Sequence, residues 1–511
     1  MSSSNSYTWR SLELRAAEYY AHICKPESEW KTLGDLAPQL VEFEHLVKAG
    51  AYDAACQVLD SIDTTHLFIW GYYALLVGMR KALVGEIQLL ALQLNNFEGM
   101  ANALRVLGEL QSAIAHYEQG LTLARHIRDR SREGKLQGNL GSAYWALGQY
   151  EKGLASYESA LAIASETGDR WEECKQLSRL GRTSYQLGYF AQAVMYHEKA
   201  LTIAREIRNR QWEGYISGAL GNIRRALGQF EAARTLYETA LAIAYKTGER
   251  REEGVRHWSL GRLYHDLGHP EKALTFYEIA LRFSRDTAAR VEEQKVLGSI
   301  GDIYLDLEDY TQALDYYQKA LTINQEIGYR RGQGYRLLGL LKAKLAIGDF
   351  AEVQHLESVA MSFKILEVDY HIQLILGIAY LYQNTMKASE YIAGAVTQSQ
   401  GLLAKSRGLY APQYALGTAL VGQAACDPRW PDSNQHTVLL ASALAEYRRA
   451  LDITSAPGVV RDALHDLKLI RAAGIDGLEP AFALLEQAIA DWQSLPGDAL
   501  PSPTSLQEDT V

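Results

Sequence analysis

Cysteine is scarce in this chain and nowhere clustered. The 511 residues include four cysteines, which lie far apart in the sequence: Cys24, Cys56, Cys174 and Cys426. No two stand at the CxxC spacing of a zinc knuckle, and disulfide-stabilised domains place many cysteines in much shorter chains. The composition excludes a disulfide framework and suits a reducing compartment, so we expect a cytoplasmic protein.

Long apolar runs are also missing. The longest, LFIWGYYALLVGM at residues 67–79, is too short to cross a bilayer as a helix. Residues 1–20 lack the basic segment and apolar core of a secretory signal. We therefore predict a buried helix over residues 67–79 and no membrane association.

Motifs that carry catalysis are absent from the sequence. There is no GxxxxGK[ST] phosphate-binding loop, no HExxH zinc motif and no GxSxG nucleophile motif. His257 and His265 stand on one predicted helix about two turns, or roughly 12 Å, apart, which is too far to share a metal ion. We predict that the protein is not an enzyme and needs no cofactor and no metal.

Positive charge is in deficit. The chain has 51 Lys and Arg against 61 Asp and Glu, for a formal charge of −10. An acidic protein is a poor candidate for binding nucleic acid or anionic membranes, because both repel negative charge. The charge balance therefore favours a protein or peptide partner over a nucleic acid.

The sequence does contain a repeat with a period of forty residues. Leu-Gly recurs at residues 107–108, 147–148, 187–188, 227–228 and 267–268, and a unit-closing arginine recurs from Arg130 to Arg330. On each side of the Leu-Gly pair, apolar residues follow helical spacing, as at Leu136, Leu140 and Tyr144. Each unit is therefore predicted to be a pair of antiparallel helices joined by a turn.

Glycine marks where these helices approach each other. Gly141, Gly181, Gly221, Gly261 and Gly301 lie inside the first helix of successive units. A glycine there costs about 1 kcal/mol relative to alanine. Its recurrence indicates that a side chain would not fit against the neighbouring helix.

The pattern of Leu140, Gly141, Tyr144, Leu147-Gly148, Tyr150, Ala160 and Leu161 resembles the tetratricopeptide repeat in a forty-residue form. The resemblance implies an all-α fold, a right-handed α-solenoid of helix pairs with helical N- and C-terminal flanks. We expect residues 1–90 to form an N-terminal helical segment and residues 91–370 seven repeats. Residues 371–495 are expected to form degenerate helical repeats or a C-terminal cap, and residues 496–511 a disordered tail.

Residues 1–90 followed by the repeats resemble the region after the ATPase core in bacterial STAND-class signalling ATPases, whose C-terminal repeat arrays act as sensors. No nucleotide-binding core precedes that segment in this sequence. The resemblance implies a sensor or adaptor of a bacterial signalling or defence system, working with a separately encoded effector.

In the tetratricopeptide family, the first-helix positions opposite the buried stripe line a concave groove. At the 28 equivalent positions here, eight residues are Lys or Arg and two are Asp or Glu, with aromatic residues among them. This composition predicts a basic, aromatic groove for a protein or peptide ligand with an acidic segment. The predicted groove residues are Asn102, Arg105, Lys135, Trp145, Lys175, Arg182, Tyr185, Asn222, Arg225, Trp258, Arg262 and His265.

Other interpretations of this face stay open at the level of sequence. Solvated helix faces are often rich in Lys and Arg without binding anything. A helical repeat that binds RNA would place similar base-contacting residues in each unit, whereas Ser142, Arg182, Asn222 and Asp302 differ at one equivalent position. The main alternative is a regulatory receptor that changes conformation when it binds a short signalling peptide.

Overall fold

The computed structural model describes residues 8–363, 366–382, 385–405, 409–426 and 434–494, and within them the chain is all-α. The predicted tail at residues 496–511 lies outside the described residues. The chain divides into two compact units, residues 1–183 and 184–511. The division falls within a single helix, α9.

The helices begin and end as follows. Residues 8–186 contain α1 (Trp9–His22), α2 (Ala37–Lys48), α3 (Tyr52–Ile62), α4 (Tyr73–Lys81), α5 (Leu90–Leu107), α6 (Leu110–His126), α7 (Arg130–Ala146), α8 (Tyr150–Thr167) and α9 (Arg170–Gln186). The repeats continue with α10 (Phe190–Glu206), α11 (Arg210–Ala226), α12 (Phe230–Thr247), α13 (Arg250–Asp266), α14 (Pro270–Asp286), α15 (Arg290–Asp306), α16 (Tyr310–Glu326), α17 (Arg330–Ala346) and α18 (Phe350–Met361). The C-terminal helices are α19 (Leu366–Leu381), α20 (Thr385–Lys405), α21 (Tyr410–Ala425), α22 (Asn434–Ile453), α23 (Pro457–Ala472) and α24 (Glu479–Ser494).

Consecutive helices pack as antiparallel pairs that stack on one another. In the first unit α5, α6 and α7 each contact the helix that follows, and in the second α10 to α17 do the same. The predicted solenoid of helix pairs is confirmed. Each pair buries its apolar stripe only by stacking on its neighbours, which is why the repeats occur as an array.

A tyrosine from the second helix fills the centre of most repeats. Tyr117, Tyr157, Tyr237, Tyr277 and Tyr317 are fully buried. A Cβ atom on Gly221 would lie 2.7 Å from the Tyr237 ring, and one on Gly261 would lie 2.5 Å from the Tyr277 ring. The helix glycines are therefore there to admit these rings, as their periodic recurrence predicted.

The Leu-Gly pairs end the first helices. Gly148 and Gly268 have φ of 75° and 79°, in the left-handed region that reverses the chain with little strain when no Cβ is present. Glu308 takes the same place in a later repeat and keeps a φ of 60°. The turn geometry thus persists where the sequence signal weakens.

The helix predicted over residues 67–79 is shorter in the structure. Residues 63–67 form a π-helical turn, Gly71 has φ of 83°, and α4 begins at Tyr73. The predicted start was wrong because this glycine interrupts the apolar run. Within the described residues, no helix is long and apolar enough to span a membrane.

The C-terminal helices retain the packing of the repeats. A Cβ on Gly417 would lie 2.7 Å from the Tyr447 ring, and one on Gly377 would lie 2.5 Å from Ile392. The pairs α19–α20 and α21–α22 therefore repeat the glycine contact of the array. α23 packs against α13 and α15 as well as α19 and α21, which the sequence did not predict.

Candidate functional site

Six of the predicted groove residues lie in unit 1 and six in unit 2. In unit 1 they lie on α5, α7 and α9, and we call this surface the α5–α7–α9 face; it comprises Asn102, Arg105, Lys135, Trp145, Lys175 and Arg182, together with Arg179. In unit 2 they lie on α9, α11 and α13: Tyr185, Asn222, Arg225, Trp258, Arg262 and His265.

Two predicted binding residues take part in repeat packing. Asn102 accepts a hydrogen bond from the hydroxyl of Tyr117 at 2.7 Å, and Asn222 accepts one from Tyr237 at 2.8 Å. Ser142 and Asp302 do the same for Tyr157 and Tyr317. This position therefore satisfies the buried tyrosine of its own repeat, whatever else it contacts.

Several donors on the α5–α7–α9 face are buried without an acceptor. Arg105 Nε, Trp145 Nε1 and Arg182 Nε have no hydrogen-bond partner among the described residues. The guanidinium of Arg182 lies over the Trp145 ring, 4.4 Å from its centroid. Buried donors of this kind are normally paired, because an unmade hydrogen bond costs about 1–3 kcal/mol.

Arg179 strengthens the positive charge of this face and was not among the predicted residues. Burial lowers the pKa of Arg179, and the neighbouring charges of Arg182 and Arg105 lower it further. Within the described residues, none of these three guanidinium groups forms an ion pair with a carboxylate. The face thus concentrates cations that the chain itself does not neutralise.

The two lysines of this face differ in their surroundings. Lys175 Nζ lies 2.6 Å from Glu172 Oε2, so its charge is matched within α9. Lys135 is exposed. Its charge acts on the nearby Glu98 carboxyl: burial raises the pKa of Glu98, and the positive charge of Lys135 opposes that rise. Among the described residues, the cations of this face without an ion pair are therefore Arg105, Lys135, Arg179 and Arg182.

In unit 2 the predicted arginines and histidine face carboxylates or aromatic rings. Buried Arg225 forms an ion pair with Asp266, and His265 Nε2 lies 2.7 Å from Asp306 Oδ2. Arg262 lies over the ring of Trp258, 4.8 Å from its centroid. The indole N–H of Trp258 donates to Ser299 Oγ at 3.0 Å.

Tyr185 packs edge-on against Phe190, with ring centroids 5.1 Å apart. Half-buried, it joins a small apolar cluster that includes Leu220, Ile223 and Leu409. Its ring thus supports the packing between α9, α10 and α11.

Three of the unit 2 residues, Arg225, Arg262 and His265, border a cavity of about 340 Å³. One side is formed by first helices of the repeats, including Arg225, Arg262 and His265, and the other by α19, α21 and α23. Tyr410 on α21 donates to Asp266, and Lys342 on α17 donates to Asp462 on α23 at 2.6 Å. The C-terminal helices therefore complete this surface, and Asp462 on α23 pairs with Lys342 of the repeats.

His371, Asp462 and Asp466 bring their ligand atoms within 4.8 Å of one another. Lys342 Nζ lies 2.6 Å from Asp462 and 3.2 Å from Asp466, and His371 Nε2 lies 2.7 Å from Asp466. The lysine ammonium holds the place that a metal ion would need between the carboxylates. These residues form an internal charge cluster that the repeat pattern did not reveal.

Sequence comparisons agree with the repeat structure. Residues 91–166, 132–206, 173–246 and 214–286 match a family model described as tetratricopeptide repeat, and residues 295–326 match a second model of that description. A search of curated proteins finds no significant match.

Several solved structures match this chain. A Rap protein complexed with Competence and Sporulation Factor is 14% identical, with a TM-score of 0.49, and the match covers 73% of this chain and 100% of that one. The apo form of RapI is 12% identical, with a TM-score of 0.45 and coverage of 56% and 99%. A STAND protein with a tetratricopeptide repeat sensor from Pyrococcus horikoshii is 13% identical, with a TM-score of 0.34 and coverage of 88% and 54%. A protein of the STAND class, to which the sequence analysis drew a resemblance, is therefore among the matching structures.

Proposed function

The chain is a tetratricopeptide-repeat protein over residues 91–286 and 295–326, and from that premise we propose that it binds an acidic segment of a protein partner on the α5–α7–α9 face. The observation that carries the proposal is the group of buried donors without acceptors at Arg105, Trp145 and Arg182. A carboxylate is the acceptor that such donors bind most strongly, since charge-assisted hydrogen bonds are the strongest in proteins.

The polar groups of this face suit the binding of a partner's side chain rather than the catalysis of a reaction. Apart from the Asn102 amide, which accepts a hydrogen bond from Tyr117, its polar groups are guanidinium, ammonium and indole N–H groups, all of them donors. The Trp145 ring, already covered on one side by Arg182, adds apolar area beside the cations. We infer a non-enzymatic binding surface that suits Asp or Glu residues flanked by apolar ones.

The proposed binding surface is smaller than the groove predicted from the sequence, because it leaves out the residues of unit 2. The charges of Arg225 and His265 are matched by Asp266 and Asp306, so an acidic ligand would have to displace an internal partner there. Arg105, Arg179 and Arg182 offer their charge without that cost. A partner bound through them would make the chain a sensor or adaptor for a separately encoded effector.

The experiment compares the full chain with the double variant Arg105→Gln/Arg182→Gln. A fluorescein-labelled peptide of alternating Asp, Glu and Leu is titrated and binding is followed by anisotropy, with a Lys- and Leu-based peptide of equal length as control. Losing two charged hydrogen bonds should weaken acidic-peptide binding at least about tenfold. Lys152→Gln, an exposed charge on α8, should leave binding unchanged.

The same variants also test the physiological partner. Proteins recovered with the wild-type chain and with Lys152→Gln, but lost with the double variant, would bind through this face. If the double variant retains every partner and binds the acidic peptide as tightly as the wild type, the proposal is wrong.

One feature of unit 2 favours the alternative of a receptor that changes conformation. Contacts from α21 and α23 to the repeats, such as Tyr410 with Asp266 and Lys468 with Glu308, hold the C-terminal helices over the cavity. A short peptide that entered this surface would have to displace them. Small-angle scattering with and without added peptide would detect that change, whereas binding on the α5–α7–α9 face would leave the conformation of unit 2 unaltered.

A further inference from the structure

The cavity in unit 2 is lined by five aspartates, four of which pair with a cationic side chain. Their partners are Arg225 for Asp266, Tyr317 for Asp302, His265 for Asp306, and Lys342 for Asp462 and Asp466. Two further cations, Arg262 and Arg336, line the same cavity. Within the described residues, neither has a carboxylate at ion-pair distance. Two arginines of the cavity therefore have no ion pair among the described residues, while one carboxylate, Asp302, is bound only by the neutral hydroxyl of Tyr317.

An internal comparison shows that the isolation of Arg336 is specific. Arg256 holds the equivalent position two repeats earlier, and both guanidinium groups occupy space left by a glycine, Gly218 or Gly298. Arg256 Nη2 donates to Glu252 at 2.8 Å. At the position equivalent to Glu252, the later repeat has Gly332. The arginine and its glycine recess are repeated, but the carboxylate is not.

Arg336 is also short of hydrogen-bond acceptors. Its Nε and Nη1 atoms are buried and have no partner among the described residues. A Cβ on Gly298 would overlap Arg336 Nη1, so the glycine is required for the guanidinium to lie there. The chain therefore places a charged donor at the cavity and leaves its N–H groups for an acceptor that the chain does not supply.

Arg262 contacts an aromatic ring and has no ion pair among the described residues. Its guanidinium carbon lies over the Trp258 ring, 4.8 Å from the ring centroid. A guanidinium group can bind two oxygens of a phosphate or carboxylate through its N–H groups. Trp258 is fixed in turn by its hydrogen bond to Ser299.

The rest of the cavity suits the body of a small molecule. Its volume of about 340 Å³ is in the range of small-ligand pockets. Tyrosine rings and aliphatic side chains supply much of the wall: Tyr277, Tyr317, Tyr410, Tyr414, Leu305 and Val368. Such a lining binds an aromatic or aliphatic ring while charged groups orient it.

We propose that this cavity binds a small organic anion, with its phosphate or carboxylate group between Arg262 and Arg336 and its ring against the tyrosines. The site shares no residue with the α5–α7–α9 face and does not depend on the partner proposed for it. Binding there would also stabilise the contacts of α19, α21 and α23 with the repeats, since these helices form one wall.

Isothermal titration calorimetry on the full chain tests the site at constant ionic strength. The probes are phenyl phosphate, benzoate and benzylamine, which share a ring and differ in the charged group. One or both anions should bind saturably and raise the unfolding temperature, and benzylamine should do neither. The two anions distinguish a phosphate ligand from a carboxylate ligand. Equal binding of benzylamine would overturn the proposal.

Variants locate the binding. Arg336→Gln and Arg262→Gln should each weaken binding of the preferred anion about tenfold or more, because a charged hydrogen bond is lost. Arg256→Gln is the matched control, since it alters the paired arginine of the earlier repeat and should leave affinity unchanged. Circular dichroism confirms that each variant is folded. Because the two cavity arginines are replaced separately, the test can still be made if one variant does not fold. Unchanged affinity in both cavity variants would refute the assignment.

Discussion

The ring of Tyr237 packs so closely on Gly221 that a methyl group on the glycine would come within 2.7 Å of a ring carbon. Gly221→Ala should therefore destabilise the protein, because overpacking a core costs about 1–3 kcal/mol and outweighs the gain of about 1 kcal/mol in helix propensity. Urea denaturation followed by circular dichroism measures the change.

The control for that substitution lies in α20. Gly401 is exposed, and a methyl group added to it would meet no neighbouring atom within 4 Å, so Gly401→Ala should stabilise the chain by about 0.5–1 kcal/mol. Opposite signs for the two alanine variants are expected. A stabilised Gly221→Ala variant would contradict the close packing of the tyrosine.

The buried tyrosine hydroxyls should differ in their contribution to stability. Tyr317 donates to the Asp302 carboxylate at 2.8 Å, whereas Tyr157 donates to the Ser142 hydroxyl at 3.1 Å. Hydrogen bonds to charged groups contribute about 1.5–3 kcal/mol and neutral ones about 0.5–1.5 kcal/mol. Tyr317→Phe should therefore lower the free energy of unfolding more than Tyr157→Phe does.

The two tyrosine variants are compared by chemical denaturation under identical conditions. Because each removes one oxygen and leaves the ring, packing of the repeat is kept constant. Equal losses, or a larger loss for Tyr157→Phe, would show that the charge of Asp302 does not strengthen its hydrogen bond.

Much of the repeat fold was predictable because every unit has the same spacing between its packing residues. The spacing from Gly221 to Tyr237 is 16 residues and recurs every forty, so periodicity exposes it. From Gly417 to Tyr447 the spacing is 30 residues, and the same packing has no repeat in the sequence to reveal it. Local propensity gives the helices, but the contact between them depends on the length of the connection.

The candidate site was predictable only in part, for a related reason. A helical wheel places Arg225 and His265 on the inner face, but it does not show Asp462 and Asp466, which are far along the chain and reach the same cavity on α23. Nor does it identify Asp266 and Asp306 as ion partners, because each of them lies one repeat after its cation. Charge counts along one face therefore overstated how basic the unit 2 surface is.

Stability should depend on pH through His265. Burial alone would lower the pKa of His265, but the adjacent Asp306, with Asp266 and Asp302 nearby, raises it to about 9 from its ordinary value of 6.5. A raised folded-state pKa gives stabilisation that is complete below about pH 6.5 and lost as the pH rises through about 9. The contribution is on the order of 3 kcal/mol at most.

His265→Gln removes the charge and keeps a polar side chain of similar reach. The difference in unfolding free energy between wild type and variant should be largest near about pH 6 and decline toward about pH 9.5. Urea denaturation across this range measures it. A difference that stayed constant with pH would mean that His265 is not charged beside Asp306 in the folded protein.

Lys342 should be among the most costly charges to remove. It is buried, and its ammonium group lies between Asp462 and Asp466, of which Asp466 is also buried and bound to His371. Burial would lower the pKa of Lys342, but the two aspartates raise it well above its ordinary value, so the lysine is charged. Lys342→Met should destabilise the protein by about 3–5 kcal/mol, because it leaves buried carboxylate charge unpaired.

Lys468 provides the matched comparison, since it also links α23 to the repeats. Its ion pair with Glu308 is exposed on both sides, at 57% and 54% of the side-chain surface, so Lys468→Met should cost about 0–1 kcal/mol. Adding Asp466→Asn to Lys342→Met should recover part of the lost stability, because the orphaned charge is removed. If the double variant is no more stable than Lys342→Met alone, the cost of the single change comes from lost packing, and the charge cluster does not hold α23 on the repeats.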